Sequence, residues 1–88
     1  MLNGYELAKL ITERLNDLDW IAENFGNEFK ARDYLEREYL GPFTGYITLG
    51  GLCQLYSAYP DEEEWASMRY NLPAMQAKFH ESQKSIKR

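Results

Sequence analysis

The stretch from Leu40 to Pro60 contains no Asp, Glu, Lys, Arg or His, so the fourteen acidic and ten basic residues of the chain all lie outside it. It holds four of the six glycines and the single cysteine, Cys53. A stretch this free of charge is expected inside a membrane or inside a protein core. Two prolines and several Thr, Gln and Ser residues make it a poor membrane span. We therefore expect it to form the core against which the charged flanks pack.

Length, charge and cysteine content narrow the classes of protein to which the chain can belong. Its 88 residues, 44% of them hydrophobic and 27% charged, are typical of a single globular domain covering residues 1–88. The formal net charge of −4 disfavours a nucleic-acid partner, because phosphate backbones repel acidic proteins. A lone cysteine forms no intramolecular disulfide, and the sequence shows no secretory leader. We expect a cytoplasmic protein that binds neither membranes nor nucleic acid.

The first charged flank predicts a helix over about 4–25. Asn3 and Glu6 have the spacing of a capping box, in which each side chain accepts a hydrogen bond from the other residue's backbone amide. Apolar or small residues then recur every three or four positions, as on one face of a helix. They are Gly4, Ala8, Ile11, Leu15, Leu18, Ala22 and Phe25. The helix is either continuous or broken near residue 17, since Asn16, Asp17 and Asp19 favour caps over helix interiors.

A second helix is predicted over 28–40. Gly26 is suited to end the preceding segment in a left-handed conformation, and Asn27 is suited to cap the next helix. The apolar set of this helix is Phe29, Ala31, Tyr34, Leu35, Tyr39 and Leu40. Glu28 with Arg32 and Asp33 with Arg37 form acid-first pairs four residues apart. Gly41-Pro42 ends the helix.

The uncharged stretch itself has two interpretations. In one, a hairpin over 43–59 turns at Gly50-Gly51. In the other, Thr48 caps a buried helix over 49–58. We favour the helix, because a lone hairpin among helices needs a packing partner of its own, whereas an apolar helix can support the others from the centre.

The last block, 62–85, carries a stripe at helical spacing that runs through Pro73. Asp61 and Glu64 have the spacing of a capping box. The stripe consists of Trp65, Met68, Leu72, Met75, Phe79, Ser82 and Ile86. Proline removes a helical hydrogen bond and clashes with the preceding turn, so the block is either kinked at Pro73 or broken with Asn71 as a new cap. Because the stripe stays in phase, we favour a kink or a shallow break. The predicted fold is an all-α bundle of four to five helices; the alternative is an α+β fold with the hairpin.

Residues capable of catalysis are sparse. Cys53 and His80 are the only cysteine and histidine, and Cys53 lies in the most apolar part of the chain, where a thiol is usually inert. One His and one Cys do not build a structural zinc site, and the adjacent acids Asp61–Glu64 point in different directions on a helix. No phosphate-binding glycine motif is present. We expect no enzyme activity, no cofactor and no metal.

Protein binding is the function that these observations favour. Two helical stripes and an uncharged middle exceed what so small a chain covers easily by itself, and tryptophan and tyrosine dominate binding energy where they are exposed. The predicted partner-binding residues are Tyr59, Trp65, Met68, Tyr70, Trp20 and Tyr34. By analogy with small acidic proteins of phages and mobile elements, we expect a regulator that inhibits a repressor or a defence complex by occupying its surface. A homo-oligomer is expected, and the alternative function is a self-assembling structural or assembly-chaperone subunit.

Overall fold

The computed structural model describes residues 2–41 and 47–86, and within these two ranges the chain is helical and contains no strand. The helices are α1 (Gly4–Asn16), α2 (Leu18–Asn24), α3 (Glu28–Tyr39), α4 (Leu49–Ala58), α5 (Glu62–Ser67) and α6 (Leu72–Ile86). The all-α prediction is confirmed, with six helices in the described residues instead of four or five. Residues 49–58 are helical, so the hairpin alternative is wrong; the part of it over 43–46 lies outside the described residues.

Side-chain caps fix where α1, α3, α4 and α6 begin. Asn3 and Glu6 make both capping-box bonds, at 2.8 and 3.0 Å. The Thr48 hydroxyl accepts from the Gly51 amide at 3.0 Å, which starts α4. Asn27 and Asn71 accept from Lys30 and Ala74, each at 2.9 Å, and start α3 and α6. These predicted caps are confirmed, and each satisfies an amide that the helix itself leaves unpaired.

The predicted capping box at α5 is wrong. Asp61 is the residue before the helix, but its side chain makes no capping hydrogen bond. Glu64 instead forms an ion pair with Lys78 of α6. The ion pair with Lys78, fourteen residues away, therefore replaces the predicted bond between the Glu64 side chain and the Asp61 backbone amide.

Asp17 breaks the first helical segment in two. Its amide donates to the Arg14 carbonyl at 3.2 Å, while its carboxylate accepts from the Trp20 amide at 3.1 Å, so it ends α1 and caps α2. The predicted stripe does not continue through this break. Leu18 is 75% exposed and Ala22 is also exposed, although the spacing placed both with the core residues of α1.

α4 forms the centre of the core. Its buried face consists of Leu49, Leu52 and Leu55, and α1 packs most extensively against it. The core is completed by Leu7, Ala8, Ile11, Leu35, Leu40, Ile47, Trp65, Leu72 and Met75. α3 contacts α1, and α6 contacts α4. In the described parts of the chain, no helix has both the length and the apolar character needed to cross a bilayer.

A sharp corner separates α5 from α6. Arg69 and Tyr70 have left-handed backbones, with φ of 56° and 57°, which for residues with side chains costs about 1–2 kcal/mol each. The amide of Tyr70 donates to the Trp65 carbonyl at 2.7 Å and thereby stabilises the turn. The last block is therefore broken, which confirms the predicted alternative with Asn71 as the new cap; the kinked continuous helix is not formed. The break lies before Pro73, which occupies the first turn of α6.

Gly4, the first residue of α1, lets this corner approach α1 closely. A Cβ atom at this position would lie 2.9 Å from the Tyr70 carbonyl oxygen and 3.1 Å from the Leu72 side chain. Gly50, in the first turn of α4, has nothing within 4 Å of the corresponding point.

We expect Gly4→Ala to lower the free energy of unfolding by about 1–3 kcal/mol, because the new methyl group meets backbone that cannot move without opening the corner. Gly50→Ala is the matched control. It adds the same methyl group to a first helical turn in open space, and the better helix propensity of alanine should leave stability unchanged or raise it by as much as about 1 kcal/mol. Urea denaturation followed by circular dichroism measures both. Equal stability of the two variants would contradict the close approach at Gly4.

Candidate protein-binding site

The six predicted partner-binding residues fall into two groups in the structure. Trp20 and Tyr34 lie on α2 and α3. Tyr59, Trp65, Met68 and Tyr70 lie between the end of α4 and the start of α6. Each group has its own aromatic contacts.

Trp65 is a core residue. Its side chain is 0% exposed, its indole Nε1–H donates to the Tyr59 carbonyl at 2.7 Å, and its ring meets the Tyr5 ring edge-on at 6.0 Å. A side chain enclosed in this way has no surface to offer a partner, so the expectation that it anchors binding is corrected. Tyr59, Met68 and Tyr70 are half-buried and pack against the same core.

The polar groups around Trp65 bind one another. The Tyr70 hydroxyl donates to Glu62 at 2.9 Å, and this bond raises the pKa of Tyr70. Lys78 pairs with Glu64 and lies 5.3 Å from the centre of the Tyr59 ring, and the bond to Glu64 raises the pKa of Lys78. These contacts tie α5 to the turn at Tyr70 and to α6.

The second group is part of an aromatic cluster that joins α2 to α3. The ring of Phe25 lies 5.2 Å from the rings of both Trp20 and Tyr34, which are 6.4 Å from each other. The Arg14 guanidinium lies 5.1 Å from the centre of the Trp20 ring and connects the cluster to α1. All three rings are half-buried, so the cluster mainly holds α2 and α3 in a fixed relation.

Phe29 is, after Leu18, a second large apolar residue that the sequence interpretation placed wrongly. It was assigned to the apolar set of α3, yet its side chain is 85% exposed. It precedes the fully buried Ala31 by two residues, and two residues rotate about 200° around a helix, which places them on opposite sides. That spacing was the signal available in the sequence. Beside Phe29 lies an open cleft of about 200 Å³, lined by Glu28, Phe29 and Arg32.

Acidic side chains lie on the exposed sides of α2 and α3, the helix that carries Phe29. On α3, Asp33 and Glu36 follow Phe29 at helical spacing and are exposed. On α2, Asp19 and Glu23 are four residues apart and exposed. We call these five residues, Asp19, Glu23, Phe29, Asp33 and Glu36, the α2–α3 face.

Catalytic and metal-binding groups are not gathered anywhere in the residues that the structure describes. Cys53 is half-buried on α4 and packs against the core, while His80 is exposed on α6 beside Phe79. Within the described ranges, no three His, Cys, Asp or Glu side chains are placed where they could hold a metal ion.

Comparison with known proteins finds no matching family model, no similar curated protein and no similar solved structure. The residues of the chain itself therefore carry the functional argument.

We expect Trp65→Phe to lower the free energy of unfolding by about 1–3 kcal/mol, because it removes the indole N–H that donates a hydrogen bond to the Tyr59 carbonyl and leaves space in the core. Trp20→Phe is the matched control. It removes the same N–H from a half-buried ring and weakens the contact with Arg14, which should cost about 0.5–1 kcal/mol. Urea denaturation followed by circular dichroism compares the two variants. A larger loss for Trp20→Phe would contradict the core role of Trp65.

Stability should fall as the solution is made strongly alkaline. Burial raises the pKa of Tyr5, and the hydrogen bonds to Glu62 and Glu64 raise the pKa of Tyr70 and of Lys78. A raised pKa means that the folded state holds the proton more tightly than the unfolded state. The resulting stability is complete below the ordinary pKa of these groups, about 10, and is lost as pH rises through the folded-state values.

Denaturation midpoints measured between about pH 8 and about pH 11 (from about two units below the ordinary pKa to about one unit above it) test this. Tyr70→Phe should flatten the alkaline decline, because phenylalanine does not titrate. An unchanged decline in this variant would show that Tyr70 contributes nothing to it.

Proposed function

We propose that this chain is a non-enzymatic protein-binding regulator that inhibits a partner protein by occupying its surface, and that it binds through the α2–α3 face. The observation that carries the proposal is Phe29, whose ring is 85% exposed on a helix with a buried opposite side.

The exposure of Phe29 has no role in folding. The core of the described residues is complete without it, and burying a phenylalanine ring contributes about 1.5–3 kcal/mol, which folding here does not use. That free energy is available to an interface. Exposed aromatic residues with a charged surround have the composition of a binding hot spot within a polar rim.

The two helices that carry the face are packed against each other and against the core. Ile21, Ala31 and Leu35 anchor α2 and α3 from below, and the cluster of Trp20, Phe25 and Tyr34 fixes one helix against the other. A surface that is already ordered loses little conformational entropy when it binds. Trp20 and Tyr34 thus act as positioning residues that support the site from behind.

The size and acidity of the chain are those of small inhibitors that phages and mobile elements direct against repressors or defence complexes. The competing candidate is a self-assembling subunit, in which a second copy of the chain covers Phe29. Light scattering of the isolated protein separates the two.

We expect Phe29→Ala to weaken partner capture by about tenfold or more while changing the free energy of unfolding by less than about 0.5 kcal/mol. Tagged protein is used as bait in an extract of its source cells, and the captured proteins are identified and quantified by mass spectrometry. Leu2→Ala is the control, since it removes apolar surface from another exposed position, 44% accessible, outside the α2–α3 face. A partner captured equally by both variants would place binding elsewhere on the chain.

A further inference from the structure

The charge of the chain is concentrated where Phe29 lies. Residues 17–39, which include α2 and α3, contain seven acidic and three basic residues. The rest of the sequence contains seven of each, so this one segment accounts for the whole formal charge of −4.

Ion pairing within α3 cancels only one of the four acids of the α2–α3 face, Asp33. Arg32 pairs with Glu28 at 3.4 Å, and Arg37 pairs with Asp33 at 3.3 Å. Of the acids on the α2–α3 face, Asp19, Glu23 and Glu36 have no ion-pair partner among the described residues. Lys30 is the one base of residues 17–39 outside these pairs.

Resting on the proposed function, we infer that the partner is a protein whose docking surface carries Lys and Arg side chains around an apolar cleft, and that Phe29 enters this cleft. Glu36 shares the outward side of α3 with the ring, and Asp19 and Glu23 are exposed on α2, the helix that packs beside α3, so a partner that buries the ring brings its own rim towards these acids. A basic rim gains attraction and faster association at these positions, whereas a neutral or acidic rim leaves the carboxylates desolvated or repelled.

A second copy of the chain fits the face less well. A two-fold symmetric dimer places the same patch of both copies together, which opposes acid to acid on α2 and α3. Phe29 by itself buries at most about 250 Å², far below the roughly 1,000 Å² of a stable interface. The remaining contact must come from the charged surroundings, and these favour an oppositely charged partner.

Two synthetic amphipathic helical peptides of equal length serve as probes. Both carry the same leucine stripe; Lys and Arg flank the stripe in one peptide and Glu in the other. Amide chemical shifts of the ¹⁵N-labelled full chain are followed during each titration. We expect the basic peptide to shift amides of α2 and α3, with an affinity that falls about tenfold from low to high salt, and the acidic peptide to shift none.

Matched variants separate local charge from total charge. Asp19→Asn/Glu23→Gln/Glu36→Gln should weaken binding of the basic peptide by about tenfold. Asp61→Asn/Glu63→Gln/Glu81→Gln makes the same change in net charge at exposed positions on α5, on α6 and just before α5, and should alter the affinity by less than about twofold. Phe29→Ala, which leaves all the acidic residues in place, should also weaken binding of the basic peptide. Equal effects of the two triple variants, or basic-peptide shifts outside α2 and α3, overturn the inference.

Failure of this inference differs from failure of the proposed function. If cellular partner capture needs Phe29 but tolerates neutralisation of Asp19, Glu23 and Glu36, the face binds a partner that is not basic, and the inference alone is wrong. If Phe29→Ala leaves cellular capture unchanged, the proposed function fails at this face. If light scattering shows a dimer that Phe29→Ala dissociates, a second copy covers the ring and the inference is overturned.

Discussion

Burial of α4 against α1 is the contact on which the rest of the structure depends. α4 carries no charge, and Leu49, Leu52 and Leu55 are all buried. A helix without charged residues can be surrounded on several sides at little desolvation cost, so α1 and α6 can both pack on it. The charged helices then need only one apolar side each. This arrangement lets a short chain bury the apolar side of its uncharged helix.

The corner between α5 and α6 closes the other end of that core. Two residues there have left-handed backbones, which cost free energy. They persist because the buried Trp65 makes two hydrogen bonds at this turn: its carbonyl accepts from the Tyr70 amide, and its indole N–H donates to the Tyr59 carbonyl. Gly4 completes the fit by leaving room for the Tyr70 carbonyl. The strain is thus offset by contacts that are distant in sequence. Tyr59, Trp65 and Tyr70 serve this corner, and that role accounts for an aromatic group that the sequence made look like a binding surface.

The sequence predicts what local chemistry decides and misses what packing decides. The caps at Asn3, Asn27 and Thr48 were readable because a side-chain acceptor and its backbone donor lie three residues apart. The bounds of α4 followed from one such cap and an apolar pattern.

No local signal marks Arg69 and Tyr70 as left-handed, since neither is Gly or Asn. Asp61 and Glu64 have the spacing of a capping box but do not form one, because Glu64 pairs with Lys78 on another helix. For the candidate site, Trp20 and Tyr34 lie on the two helices of the proposed face but pack behind it; the exposure of Phe29 was missed because a phenylalanine in an apolar set is ordinarily assigned to the core.

The separation between core and acidic face has a physical consequence for how such a protein can change. α2 and α3 reach the core through Ile21, Ala31 and Leu35, on the side opposite Phe29, Asp33 and Glu36. Substitutions on the outward side therefore alter charge and apolar area without opening a cavity or breaking a cap, and exposed substitutions of this kind usually change stability by less than about 0.5 kcal/mol. The residues around Trp65 have no such freedom, because each one bears on the strained corner. The α2–α3 face can thus vary in charge and apolar area while the fold is maintained by the buried sides of these helices and by the residues around Trp65.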